Sequence, residues 1–501
     1  MKRAFRGAAV AAFGLSLAVI GGGSAAGAPA PEALRIKADG AMAALTSGGC
    51  ADRPAAFEPV VADAGFAARD PDMRAALLGG AAVCAASGGD AEAAYSYARR
   101  GSEEPAADGA NWAVRLTLAL AVDRPEDAAQ SFRVLASRFP AALRELDADA
   151  VAAVYARASN DAERLTLIET LRRAEWRSAD PVDNGDALRL EHVRLLVSAG
   201  RTADAQREAA AITDPVQLLA FTVDSRLSPA RPEVPDLQAA ARAALGRVAL
   251  TATAAPDRLS GAVALAGLHL QLGEPEIALR VLDAAFERRR KLGEAAYVDT
   301  AAQLPVARDL RAQALFALGR NDDALAELSA AAARSDVQDV ARIISLAGGL
   351  TYAGRAEQAL SALDATAEAD LDGEGRAWWL AARACALAEA GRAPEARAAA
   401  DAVEGAAPRL WAAVTHARLC TGGMDAAAEL YARRLADPQA RTAALLALQP
   451  YRQPAKATSR WGAERRTQLE ALRARPDVQA ALAKAGGRLA PASLADIHGR
   501  L

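Results

Sequence analysis

Four histidines (His192, His269, His416, His498) and four cysteines (Cys50, Cys84, Cys385, Cys420) are the side chains of this 501-residue chain best suited to hold a metal or act as nucleophiles. The histidines are dispersed, and none stands in HExxH or another spaced ligand pair. The cysteines form no CxxC and no Cys/His zinc pattern. There is no P-loop, no dinucleotide fingerprint and no GxSxG behind a strand. Carboxylates are plentiful, but without a paired base they read as the solvated face of helices. The run Arg288-Arg289-Arg290-Lys291 has two readings: cations at the negative end of a helix, or an anion-binding patch. The pattern predicts binding rather than catalysis: no enzyme activity, no cofactor and no metal.

Composition names the elements that would carry such a surface. The chain is 52% hydrophobic but only 4% aromatic, and the difference is mainly Ala and Leu, both strong helix formers. With 24% charged residues and a net charge of −3, neither wholesale disorder nor a globally basic nucleic-acid binder fits. Lys2, Arg3 and Arg6 precede an apolar run from Ala8 to Ile20 and a Gly/Ala-rich exit, the three-part pattern of a signal peptide over residues 1–26. Cleavage is expected after Ala26. That run is too short for a span of roughly 20 residues, and no later stretch is apolar enough, so no transmembrane segment is expected after cleavage. The expected location is periplasmic, with secretion as second choice.

A register recurs down the chain: Gly, four residues, then Ala. It starts at Gly89, Gly200, Gly273, Gly319, Gly354, Gly391 and Gly422, with Asp123 in the Gly position of an eighth copy. The Ala positions are Ala94, Ala205, Ala278, Ala324, Ala359, Ala396, Ala427 and Ala128. Gly closes one helix in the left-handed backbone. Acidic residues such as Glu92, Glu126 and Asp322 then suit the positive start of the next helix. The Ala, one turn in, lets two antiparallel helices approach. Two long gaps in the register predict degenerate copies near Asn160 and near Pro232.

With this register the chain resembles the tetratricopeptide repeat family, a 34-residue helix–turn–helix unit. Trp112 and Trp411 stand at the family's first-helix Trp position, and Ala82, Ala266, Ala312, Ala347, Ala384 and Thr415 at its close-contact position. Leu282, Leu328, Leu363, Phe132 and Tyr431 occupy the bulky second-helix position, and Pro140 and Pro408 lie where second helices commonly end. The resemblance implies an all-α, right-handed helical-hairpin solenoid, irregular in the middle, with a concave groove for partners. Its groove-facing positions fall on Arg194, Gln313, Phe316, Thr351, Tyr352, Trp378 and His416. Trp378 has a second reading, packing between hairpins.

The expected organisation is a helical cap at 27–70, a first arm at 71–227, a Pro-rich stretch at 228–235, a second arm at 236–450 and a tail at 451–501. The Pro-rich stretch is either a break between arms or a long surface loop. The tail holds ten basic against four acidic residues from Arg452 onward, over an acidic body. It either caps the last repeat or reaches an anionic partner. An even cysteine count in an exported chain suggests disulfides, and sequence order groups Cys50 with Cys84 and Cys385 with Cys420, each about one repeat apart; four buried thiols are the alternative. The expected function is a non-enzymatic adaptor for envelope proteins, with no nucleic acid involved. The alternative is a glycan-binding module or enzyme subunit of a cell-wall or polysaccharide-processing system.

Overall fold

A computed structural model describes residues 57–231, 233, 235–333, 340–366, 371, 373–406, 410–453 and 459–495. The signal peptide, most of the N-terminal cap, Cys50, Pro408 and His498 lie outside them. Among the described residues the regular elements are all helices, with two isolated β-bridges and no strand. The chain divides into two compact units, residues 1–179 and 180–501.

The first unit contains α1 (Glu58–Val61), α2 (Pro71–Ser87), α3 (Ala91–Glu103), α4 (Gly109–Ala121), α5 (Pro125–Arg138), α6 (Pro140–Arg144), α7 (Ala148–Arg157) and α8 (Asp161–Arg173). Helix starts follow local chemistry. Asp70, Asp90, Asp147 and Asn160 cap backbone amides, and Asp108 with Asn111 forms a reciprocal capping box. Pro71, Pro125 and Pro140 each open a helix, where the missing N–H costs nothing. Hairpins α2–α3 and α4–α5 pack in sequence, and Arg115 ties them by an ion pair to Asp127, which also accepts from the Tyr95 hydroxyl.

The second unit opens with α9 (Asp186–Ser198), α10 (Thr202–Ala210), α11 (Pro215–Val223) and α12 (Leu237–Ala254). Its regular hairpins are α13 (Ser260–Gln271) with α14 (Pro275–Leu292), α15 (Thr300–Ala317) with α16 (Asn321–Ala332), and α17 (Val340–Tyr352) with α18 (Ala356–Asp364). They continue as α19 (Gly373–Glu389) with α20 (Ala393–Ala406) and α21 (Trp411–Cys420) with α22 (Met424–Ala436). The unit ends with α23 (Arg441–Ala447), α24 (Arg460–Ala474) and α25 (Pro476–Lys484). No described helix is long and apolar enough to cross a membrane.

The repeating register has a direct structural cause. Gly89, Gly200, Gly273, Gly319, Gly354, Gly391 and Gly422 have φ between 73° and 85°, and Asp123 joins them at 58°. After each, the next N–H bonds back across the last turn, as from Arg355 to the Leu350 carbonyl and from Arg392 to Leu387. None of the eight register alanines is more than 1% exposed. A further copy uses no glycine: Glu175 takes φ 59°, and the Trp176 N–H bonds to Leu171. At Asn160 the turn is made by that residue's cap together with the Glu163 carboxylate, which accepts from the Ser159 N–H and hydroxyl.

The Pro-rich stretch lies inside the second unit rather than between the two. It is pinned there: the Pro229 carbonyl accepts from Gln206, Arg231 donates to Ala209 and Ile212, and Leu227 and Ala230 are buried. The Arg288–Lys291 run ends α14, and three of its four cations pair with two neighbouring carboxylates. Arg290 and Lys291 pair with Glu287, whose carboxyl their hydrogen bonds hold at about 2, and Arg289 pairs with Glu294. The Cys385–Cys420 disulfide is present and joins α19 to α21. Cys84 is disulfide-bonded as well.

Candidate interaction sites

Six of the nominated groove residues come together on one surface of the second unit. The Phe316 and Tyr352 rings meet edge to face at 5.0 Å. Trp378 and His416 lie 6.5 Å apart. Thr351, fully buried, bonds back to the Ala347 carbonyl, and Gln313 lines a void of about 20 Å³ with Phe316 and Tyr352. Arg194 is elsewhere, buried on α9 and chelating Glu191.

This surface is not open to a partner. Trp461, at the start of α24, stacks against both halves: its ring is 6.2 Å from Tyr352 and 6.4 Å from His416. Gly462 permits the approach, since a Cβ there would stand 2.8 Å from Cε2 of Tyr352. The space left between Ile344, Thr351, Trp378, Cys385, His416 and Trp461 is about 40 Å³, enough for a few waters but not for a peptide. Thr351, Tyr352, Trp378 and His416, expected in an open groove, are thus found around the Trp461 ring of α24, with Phe316 packed behind Tyr352. The reason is physical: an apolar concave face needs cover, and this tail supplies a large ring and matching charge. Arg460 pairs with Glu389 at 2.8 Å and Arg475 with Asp425 at 2.7 Å.

Beyond α25 the tail threads back to the start of the unit. The Ser225 N–H donates to the Gly486 carbonyl, Arg488 N–H to Val223 and Ala495 N–H to Gln271. The Arg452 and Arg488 guanidiniums donate to the Leu272 and Thr222 carbonyls. Cationic groups expected to face an outside anion are largely spent on internal carbonyls and carboxylates.

Cys385, His416 and Cys420 lie within 4.8 Å of one another, a spacing suited to a metal. The two sulfurs are bonded to each other, however, so the thiolates such a site requires are not formed. Arg465 donates to Nδ1 of His416 at 3.3 Å, which assigns the ring proton to Nε2, 3.9 Å from the Cys420 sulfur.

A second surface went unseen in the sequence. In the first unit, α5 and α8 stand apart and enclose an open cleft of about 550 Å³. Pro125, Ala129, Phe132 and Ala136 line it from α5, and Ala162, Thr166 and Thr170 from α8. The short α6 follows α5 directly. Arg144 donates to the Ala174 carbonyl and the Trp176 indole N–H to Leu146, which tethers the far end of α8 to the α6–α7 turn. Arg133, Arg157 and Glu163 give the cleft charges of both signs. The sequence signal was Pro140, which does follow the end of α5 at Arg138 and also opens the short α6.

No family model matches the chain, and no curated protein matches it. Among solved structures it is similar to the APC/C hetero-tetramer Cut9–Hcn1, with 14% identity over 90% of each chain and a TM-score of 0.28. Yeast Tom70 matches at 13% identity over 90% of this chain and 99% of that one, with a TM-score of 0.32. The TPR domain of P58(IPK) matches at 15% over 80% and 99%, with a TM-score of 0.19. Values this low transfer no function. The left-handed turns and buried alanines show an all-α chain whose units are built of tetratricopeptide-like helical hairpins.

Proposed function

We propose that this protein is an exported, non-enzymatic scaffold of a bacterial envelope that holds a partner protein in the cleft between α5 and α8. The observation that carries the reading is the cleft itself, about 550 Å³ flanked by two helical faces of mostly small side chains. Such faces accept one side of an amphipathic helix, whose anchors recur every three to four residues. A glycan-binding reading would need accessible aromatic rings, and the aromatic surface of the second unit lies under α24. Docking at Tyr352 or Trp378 would require α24 to leave first.

A photo-crosslinking residue at Thr166 tests the proposal in intact cells. Discrete protein adducts are expected from Thr166, and they disappear when Ala129→Arg fills the cleft. Adducts unchanged by Ala129→Arg, or equal to those from exposed Ala243 in the other unit, refute the cleft assignment. N-terminal sequencing of the protein recovered by osmotic shock tests export separately, with Gly27 as the expected first residue.

A further inference from the structure

His416 and Cys420 stand four residues apart on α21, a spacing that puts both on one helix face, and Cys385 reaches them from α19 of the neighbouring hairpin. An imidazole nitrogen and the two sulfurs lie within 4.8 Å of one another, and Nε2 of His416 is 3.9 Å from the Cys420 sulfur. Cys385 is 3% exposed and, with His416, Thr351 and Trp461, lines the void of about 40 Å³. Cys420 is half-buried at the end of α21. Thiolates and imidazole are donors that suit zinc or copper(I) rather than calcium or magnesium. The 35 residues between the cysteines hide the set, because the fold and not the local sequence brings the third donor to the other two.

We propose that the Cys385–Cys420 bond gates a zinc site: once a dithiol reductant opens it, both cysteines and His416 bind one Zn²⁺ ion. A thiolate of the reductant attacks the Cys420 sulfur, the more exposed of the two, and Cys385 leaves as a thiolate. The reductant's second thiol resolves the mixed disulfide, frees Cys420 and departs as a cyclic disulfide, so two electrons and two protons stay with the chain. Zn²⁺ then displaces both thiol protons to solvent. Two thiolates cancel the charge of the ion, so the buried group carries no net charge. Three protein ligands leave one tetrahedral position open, and the adjoining void has room for the water that fills it.

Loading also bears on α24. His416 ligates through Nε2, the nitrogen beside Cys420, so its ring proton passes to Nδ1 and faces the Arg465 N–H, donor against donor. Arg465 thereby loses the acceptor it holds at 3.3 Å. Zinc at the site and the Arg465 hydrogen bond exclude each other, so an occupied site loosens α24 from α21. This inference does not rest on the cleft reading.

The test uses the full mature chain, reduced with dithiothreitol, desalted without air and titrated with Zn²⁺, or with Co²⁺ for its spectrum. One tightly bound equivalent of zinc is expected in the reduced chain and none in the oxidised one. Cobalt should show the charge-transfer band of thiolate ligands and the strong visible bands of a tetrahedral ion. Cys385→Ser and His416→Gln should each weaken binding at least about 10-fold, whereas Cys84→Ser should keep the equivalent. No zinc in the reduced chain, or wild-type affinity in Cys385→Ser, overturns the site. Where reduction itself lowers helix content by circular dichroism, equimolar zinc should restore it, and failure to do so overturns the site as well. Amide exchange at 460–471 should quicken on loading; zinc bound with that exchange unchanged overturns the loosening of α24.

Discussion

Trp461→Ala removes the ring that seals the aromatic surface, and the structure limits what that costs. Of the fifteen residues of α24, only Trp461 and Leu472 are buried. Truncating a buried Trp to Ala removes about 3–5 kcal/mol. The molecule need not lose all of it globally, because α24 can undock while its flanks hold. Residues 486–495 remain tied to Ser225, Val223 and Gln271 by backbone bonds of 2.7–2.9 Å that do not involve Trp461. The perturbation should therefore appear as local opening. At about 1.4 kcal/mol per decade, amide exchange across residues 460–471 should accelerate by roughly two to three and a half decades, from about 100-fold to a few thousand-fold. Protection in 486–495 and in α11 should stay within a few-fold of wild type. Hydrogen–deuterium exchange read by mass spectrometry resolves these segments. Unchanged exchange at 460–471 refutes the seal; joint loss of protection at 486–495 refutes its independence from the closing contacts.

Three further outcomes follow from the geometry. Asp123→Gly should stabilise the chain by about 0.5–1 kcal/mol by relieving a left-handed non-glycine residue, whereas Gly354→Ala, with open space around the added Cβ, should cost about 1–2 kcal/mol from backbone strain alone; urea denaturation giving the same sign for both would refute the turn argument. Opening the Cys385–Cys420 bond with Cys420→Ser releases a 35-residue loop and should cost up to ~4 kcal/mol of unfolding free energy, read from the shift in urea midpoint at constant slope. His416 is held at about 3, chiefly by burial and then by Arg465, against an unfolded value near 6.5. Its folded value is depressed, so above pH 6.5 both states are neutral and it contributes no slope. As pH falls from 6.5 toward 3 the unfolded state alone gains the proton, and stability drops by up to about 1.4 kcal/mol per pH unit. His416→Gln should remove that slope, and a variant with the wild-type slope would disprove the assignment.

The turns were readable because a left-handed residue after a helix is a demand that one amino acid meets cheaply, and Gly354 or Gly391 announces it. The alanines one turn later were readable for a similar reason: only a small side chain survives at 0–1% exposure between close helices. Glu175 shows the limit, since it makes the same turn without the residue that signals it. Six of the seven expected groove positions share one surface and Arg194 does not, and Trp461 carries no local mark distinguishing a docked ring from an exposed one. Its contacts with Tyr352 and His416 are set by tertiary packing. The cleft escaped because its lining is gathered by tertiary packing from separate helices, α5 and α8, with no local residue pattern to mark it.

The contacts that bring the last residues home have a consequence for biosynthesis. Arg452 bonds to Leu272, 180 positions earlier, and Arg488 to Thr222, 266 positions earlier. A ribosome delivers the front of the second unit long before either arginine exists, and nearby hairpins form much faster than such distant closures. During that interval the rings of Phe316, Tyr352 and Trp378 stand uncovered, a sticky stretch that a holding chaperone would recognise. Premature termination just ahead of Ser459 would leave the hairpins intact and the molecule permanently in that adhesive condition.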